Sequence, residues 1–180
     1  MKLRGVVIEN PFEKKRLWCG PAVISAITGF PVSHVVETIK DVKVGMGEGI
    51  GYRWVGKCGE QEEKQYRLPV KGMYTGEVRY TLQRYGYNLV DSFYNAVHRN
   101  LDTLRMPTTA SWLKTRNDKN ELNLIVAGYH YQLVKGVKLV DSWTVDPVFI
   151  RKAPRRRARI TKAYKVVKIE NVKQLVYKPK

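Results

Sequence analysis

The 180-residue chain has only two cysteines and three histidines, and its 16 acidic residues are outnumbered by 33 lysines and arginines. Two cysteines cannot build a disulfide scaffold, and without a paired CxxC they offer no clustered metal-ligand spacing. Neither a metal nor an organic cofactor is implied. Long apolar runs are also missing: no stretch is long enough to span a bilayer, and the four apolar residues before Glu9 are too few for a secretory signal. The expectation is a soluble protein with no membrane partner, in a reducing cytoplasm. Its compactness would suit a phage-encoded or virion-associated protein. No repeat or low-complexity tract is present, so organisation is read from periodicity and turn residues.

The shortage of acid leaves a formal net charge of +17, a field that attracts phosphate backbones, anionic surfaces and acidic proteins without requiring a defined site. The excess is concentrated at the end. Residues 151–180 hold 12 lysines and arginines against the single acid Glu170, with "RKAPRRRAR" at the front. Arg155, Arg156, Arg157 and Arg159 are the candidate nucleic-acid contacts, and Tyr164 and Tyr177 interleave with the lysines as stacking platforms would. A dock for an acidic partner and a merely solvated surface are the other readings of this segment.

The length suits one domain with a real hydrophobic core, taken here as residues 1–150, followed by a basic segment over 151–180. After Cys19, "GPAVISAIT" is apolar nearly all round with Pro21 in its first turn, which predicts a buried central helix stopped by Gly29 and Pro31. Ser33 is placed to cap a second helix running to about Lys40. From about 44 to 72 the pattern dissolves into glycines and charges, read as a flexible insertion. Its glycine spacing lacks the Gly-Lys-Ser/Thr of a phosphate loop.

Val78, Thr81, Leu82 and Tyr85 then fall at helical spacing before Gly86, and "YNLVDSF" follows as a strand. A helical turn is expected over Asn95 to Leu104. "PTTASWL", "LNLIVAGYHYQLV" and "VKLVDSW" read as successive antiparallel strands, with "ARITKAYKVVKI" as an added lysine-rich edge strand. Helices first and sheet second make an α+β fold, with the Cys-bearing helix packed on a C-terminal antiparallel sheet.

A thiol is nucleophilic only as the thiolate, so a catalytic cysteine needs a helix N-terminus and a nearby imidazole. Cys19 has the first, although a lone cysteine before a helix is also an ordinary core residue. Cys58 runs into charge rather than a helix and reads as a loop thiol. Among the histidines, His34 and His98 sit in capping or polar contexts. His130 lies inside an apolar strand, where alternation puts Gly128, His130 and Gln132 on one face. If Lys135-Gly136 forms a two-residue turn, Val134 faces Val137 and His130 comes opposite Asp141, close enough for the carboxylate to orient the ring. A Cys19, His130, Asp141 triad follows, against the alternative of a routine polar pair on a solvated face.

"WCGPAVISAITG", "TGEVRYTLQRYGYNLV" and "GYHYQLVKGVKLVDSW", in that order, resemble the signatures of papain-like cysteine peptidases, closest to the bacteriocin-leader (double-glycine) peptidase branch. Asp141-Ser142-Trp143 is also similar to the Asn-Ser-Trp segment of papain. The likeness covers about Leu17 to Pro147 and implies a papain-like fold, with Cys19 as nucleophile, His130 as general base and acid, and Asp141 as the orienting residue. One position departs from the pattern. Six residues before the cysteine, where the family carries an oxyanion-binding glutamine, stands Glu13, and an ionised carboxylate opposes a developing negative charge. The alternatives are a donor from Asn10, a protonated Glu13, the Cys19 backbone amide acting largely alone, or an inactive site.

Trp18, Trp54 and Trp143 are the candidate substrate contacts. The expected function is a cysteine peptidase cutting peptide or isopeptide bonds of a peptide or protein substrate through an acyl thioester, a chemistry shared with acyl transferases of related fold. The alternative is an inactive papain-like scaffold acting as a basic nucleic-acid-binding or packaged structural protein.

Overall fold

The computed structural model describes residues 1–9, 18–48, 70, 72–92, 106–115 and 119–170, and the backbone of 50–55 and 62–67. Helix α1 (Cys19–Thr28) is apolar on every side, and Gly20 to Ile27 are all buried. Pro21 sits in the first turn, where it has no hydrogen bond to forfeit. Gly29 ends the helix at φ 82°, returning its N–H to the Ser25 carbonyl at 2.7 Å. Ser25, the one hydroxyl buried in this helix beside its last turn, accepts from Val7 N–H at 3.0 Å and donates to the Phe30 carbonyl at 2.7 Å, which ties the N-terminal segment to the core.

Helix α2 (Val32–Gly45) begins two residues earlier than expected and continues past Lys40. Ser33 does not cap it; its hydroxyl donates to Glu9 Oε2 at 3.2 Å. The helix persists because Val35, Ile39 and Val42 keep one buried stripe. Within the stretch read as a flexible insertion, β1 (Ile50–Val55) and β2 (Glu62–Arg67) pair antiparallel, Ile50 with Arg67 through Val55 with Glu62. Glycine, glutamate and lysine are poor strand formers and hide that pairing in the sequence.

Helix α3 (Thr75–Arg84) ends before Gly86, whose φ is 77°, and feeds β3 (Tyr87–Asp91). Glu77 is buried in its first turn, where it accepts the Tyr74 N–H and pairs with Lys43 of α2. The helical turn expected over 95–104 lies outside the described residues. "PTTASWL" is a helix rather than a strand: α4 (Thr109–Thr115) is started by Thr108, whose Oγ1 accepts the Ser111 N–H at 3.1 Å. That cap overrides a short apolar alternation that fits either state.

The next segment corrects the expectation again. "LNLIVAGYHYQLV" is not one strand but a hairpin of β4 (Asn123–Ala127) and β5 (His130–Lys135). Gly128 (φ 57°) and Tyr129 (φ 61°) form its turn, with the Tyr129 side chain fully exposed. A two-residue hairpin with positive φ at both central positions is the favoured type, but tyrosine is an unusual occupant and gave no turn signal. Strands β6 (Lys138–Val140), β7 (Val148–Phe149) and, after a 3-10 turn at Ile150–Lys152, β8 (Ile160–Lys168) complete the sheet.

Its order is β3-β8-β4-β5-β6-β7, antiparallel throughout. Strand β8 is therefore an interior strand hydrogen-bonded to both β3 and β4, not an added edge. Burial explains the choice: Ile160, Ala163, Tyr164 and Val166 are all buried, while Thr161 and Lys162 between them are exposed. On one face of the sheet Leu124, Leu133, Val140, Tyr164 and Val166 pack against α1, α2 and α3. On the other, Ile125, Val134, Leu139, Ile160 and Ala163 pack with Trp112 of α4 and Ile150. The architecture is α+β, with the Cys-bearing helix on the antiparallel sheet. Among the described residues no single helix is long and apolar enough to cross a membrane.

Candidate active site

Cys19 is the first residue of α1, directly after Trp18 in extended conformation. Its position in the first turn leaves its backbone N–H without an acceptor inside the helix and places the sulfur at the positive end of the helix dipole. The helix enters the core closely here: a Cβ on Gly20 would lie 2.5 Å from Met73 Sδ, so a larger residue behind the cysteine requires Met73 or the helix to shift. Cys19 is partly buried against the helical core, and the residues that act on its thiol are His130 and Tyr131 at the start of β5.

His130 Nε2 meets Asp141 Oδ2 at 3.2 Å, so Nδ1 is the ring nitrogen left for the thiol. The pairing expected from the sequence therefore exists, but by a different register. The turn is Gly136-Val137, with Gly136 at φ 57° in its first central position, and Lys135 faces Lys138, Val134 faces Leu139 and Leu133 faces Val140. Continued by one step, Gln132 and not His130 is opposite Asp141. The two-residue slip leaves every side chain on its face, so His130 remains a diagonal neighbour of the carboxylate.

Asp141 is completely buried, and its oxygens are fully used. Oδ1 accepts the backbone N–H groups of Trp143 and Thr144, both at 2.9 Å, while Asp141 N–H donates to Thr144 Oγ1 at 3.0 Å. This local turn fixes the carboxylate before it meets the ring. Oδ2 receives His130 and, at 3.4 Å, the side-chain amide of Gln132, whose own Oε1 accepts from the Thr109 hydroxyl at 3.2 Å. Gln132 and Thr109 are both completely buried. Neither was expected as a site residue, although the alternation that placed Gln132 on the His130 face was the available signal.

Burial alone would raise the Cys19 thiol; the His130 ring, the Tyr131 amide, the imidazolium charge and the Gly20 amide outweigh it and hold the thiol below its ordinary 9.0. Burial likewise disfavours a charged His130, but the hydrogen bonds to Asp141 and Cys19 and their charges lift it from 6.5 to about 9. Burial would raise Asp141 too, and the His130 bond with the Thr144 and Trp143 amides brings it below the usual carboxylate range. All three shifts favour a thiolate beside an imidazolium over a neutral thiol and ring.

Trp143 stacks on His130 with ring centroids 4.5 Å apart and planes inclined by 17°, so it covers one face of the imidazole. Arg155 in turn lies over Trp143, its guanidinium carbon 4.3 Å from the indole centroid. Of the residues singled out from sequence, Cys19, His130, Asp141 and Trp143 converge here, with Trp18 adjoining and 46% exposed. Arg155, expected only as a nucleic-acid contact, joins them. Arg156 and Arg157 are exposed in the same turn, and Arg159, also exposed, is tied down by Nη1 donating to the Met106 carbonyl. Asn10, Glu13, Cys58, His98, Tyr177 and the Trp54 side chain lie outside the described residues. His34 is on the exposed side of α2, stacked on Phe30 at 4.9 Å. Among the described residues no group of three or more His, Cys, Asp or Glu is gathered as for a metal.

Comparisons with protein-family models, with curated proteins and with solved structures found no match to this chain.

Proposed function

We propose that this protein is a cysteine-type peptidase of papain-like architecture that cuts peptide or isopeptide bonds through an acyl thioester. The observation that carries the reading is His130 held at 3.2 Å by the buried Asp141 carboxylate and electrostatically coupled to Cys19 at the start of α1, with the thiol shifted down and the imidazole shifted up. A buried polar pair serving structure alone has no need of a thiol at a helix N-terminus on its open end. The papain-like assignment rests on the order of the sequence motifs and on a Cys-bearing helix packed against an antiparallel sheet.

In the reaction the Cys19 thiolate adds to the scissile carbonyl carbon, and the oxyanion forms near the Cys19 backbone N–H, which has no acceptor within its own helix. The C–N bond then breaks as His130 Nδ1 gives its proton to the leaving nitrogen, which departs as an amine. Water next adds to the thioester while His130 takes a proton from it. Cleavage of the C–S bond returns the thiolate beside the imidazolium and releases the carboxylic acid, which loses its proton to solvent. Asp141 keeps the ring in the tautomer and orientation both steps use.

The test is alkylation by iodoacetamide at neutral pH, with the modified residue mapped by mass spectrometry in wild type and His130→Ala. Cys19 is expected to react at least tenfold faster than Cys58 and to lose that advantage in His130→Ala. Equal rates at the two cysteines in the wild type would sink the activated-nucleophile reading.

A further inference from the structure

The leaving half of a substrate has to pass His130, because the ring delivers its proton to the leaving nitrogen. The indole of Trp143 covers one face of that ring and is itself 48% exposed, so it lines the same passage. On the indole sits Arg155. An unbroken stack thus runs from the proton donor to a cation at the surface.

Arg155 is a built feature rather than a loose surface side chain. Its backbone is left-handed, φ 53°, a conformation uncommon outside glycine and asparagine. Its Nη1 donates to the Gly128 carbonyl at 3.0 Å, and its own carbonyl accepts the Ala158 N–H at 2.8 Å. The turn around it is pinned on both sides: Ala110 N–H donates to the Arg156 carbonyl at 3.0 Å, and Gly128 N–H to the Arg159 carbonyl at 3.1 Å. The arginine turn is therefore fastened to α4 and to the β4–β5 turn that carries His130.

Charge completes the picture. Residues 151–168 contain nine lysines and arginines and no acid. Among the described residues no carboxylate pairs with Arg155, Arg156 or Arg157. The Gly128 carbonyl occupies one of the five guanidinium donors of Arg155, and the fork retains donors for a two-pronged bond to a carboxylate.

We infer that Arg155, reinforced by Arg156 and Arg157, determines specificity by selecting an aspartate or glutamate within the first few residues on the leaving-group side of the bond cut at Cys19. The inference rests on the peptidase reading. An acidic peptide fits better than a nucleic acid because Arg155 is seated on the tryptophan of the site.

The experiment offers the full chain a degenerate peptide mixture at low salt and identifies the cut bonds by mass spectrometry, for wild type, Arg155→Glu and Arg155→Asn. Asparagine tolerates the left-handed backbone and keeps a neutral variant folded. In parallel, the ratio of iodoacetate to iodoacetamide alkylation at Cys19 reports how strongly anions are drawn to the site, whether or not any peptide is cut. The wild type should favour Asp or Glu over Lys on the leaving side by about five- to tenfold, diminishing with salt. Arg155→Asn should remove that preference and Arg155→Glu reverse it, with the iodoacetate ratio falling severalfold in both.

Cleavage without an acidic preference, or with one unchanged in both variants, overturns the inference while leaving the peptidase reading standing. If no peptide is cut, an iodoacetate ratio unmoved by Arg155→Glu overturns it as well. A ratio that falls supports an anion-selecting approach to Cys19 and counts against hydrolysis alone. Oligonucleotide binding lost in Arg156→Glu/Arg157→Glu, with no acidic preference in cleavage, assigns the turn to nucleic acid and overturns the inference.

Discussion

Gln132 donates to Asp141 across the β5–β6 hairpin, its amide 3.4 Å from the carboxylate oxygen that also receives His130. The carboxylate of the site is thus held by a second buried side chain, itself anchored by the Thr109 hydroxyl of α4. His130 is connected through Asp141 and Gln132 to α4.

Gln132→Leu keeps the volume but strips Asp141 of that donor and leaves the Thr109 hydroxyl without its acceptor. A loss of about 1–3 kcal/mol of stability is expected in urea unfolding, from buried polar groups left unpaired. As a positioning residue it should also slow Cys19 alkylation severalfold and move its pH profile, whereas a purely structural role would leave that profile in place.

The pH dependence has a defined sign. His130 is raised in the fold, from 6.5 to about 9, so its contribution to stability is fully present below 6.5 and is lost as pH rises through about 9. Asp141 is lowered, so its contribution is present above its unfolded value and is lost as pH falls through its depressed one. Thermal melts across the alkaline limb should therefore show Tm declining toward pH 9 in wild type and a shallower decline in His130→Gln. Identical slopes would contradict the raised imidazole.

Gly20→Ala should be destabilising although alanine is the better helix former. The new methyl would meet Met73 Sδ at 2.5 Å, Cγ at 3.0 Å and Cβ at 3.1 Å, which forces the side chain or α1 to move. A cost of about 1–3 kcal/mol is expected. Adding Met73→Ala should recover part of both the stability and the Cys19 alkylation rate, a coupling measured by a double-mutant cycle.

Lys43→Met leaves the Glu77 carboxylate buried in the first turn of α3 without its cation. About 3 kcal/mol of stability should be lost, because the remaining charge is stranded in the interior. Replacing both partners, Lys43→Met with Glu77→Gln, should cost less than Lys43→Met alone in chemical unfolding.

The expectations that failed share a physical origin. Tyr129 occupies a left-handed turn position and gave no turn signal, so the β4–β5 hairpin read as one strand. Thr108 is an effective helix cap, and it made a helix of a stretch whose apolar spacing was too short to decide. The lysines of β8 suggested an edge, whereas Ile160, Ala163, Tyr164 and Val166 place it inside the sheet. The hairpin count slipped by two, and the site survived because an even slip preserves the face of every residue.

The sequence by itself determined the elements that depend on neighbours along the chain: the buried α1 after Cys19, its stop at Gly29, the α3-to-β3 passage at Gly86, and the alternation that put His130 and Gln132 on one face. Only tertiary structure decided what depends on distant partners. It set the register that makes Gln132 the residue opposite Asp141, placed Trp143 over His130, and brought Arg155 from the basic segment onto that stack. Periodicity and capping are local forces and can be read from spacing, whereas burial and long-range pairing arise only when the sheet closes.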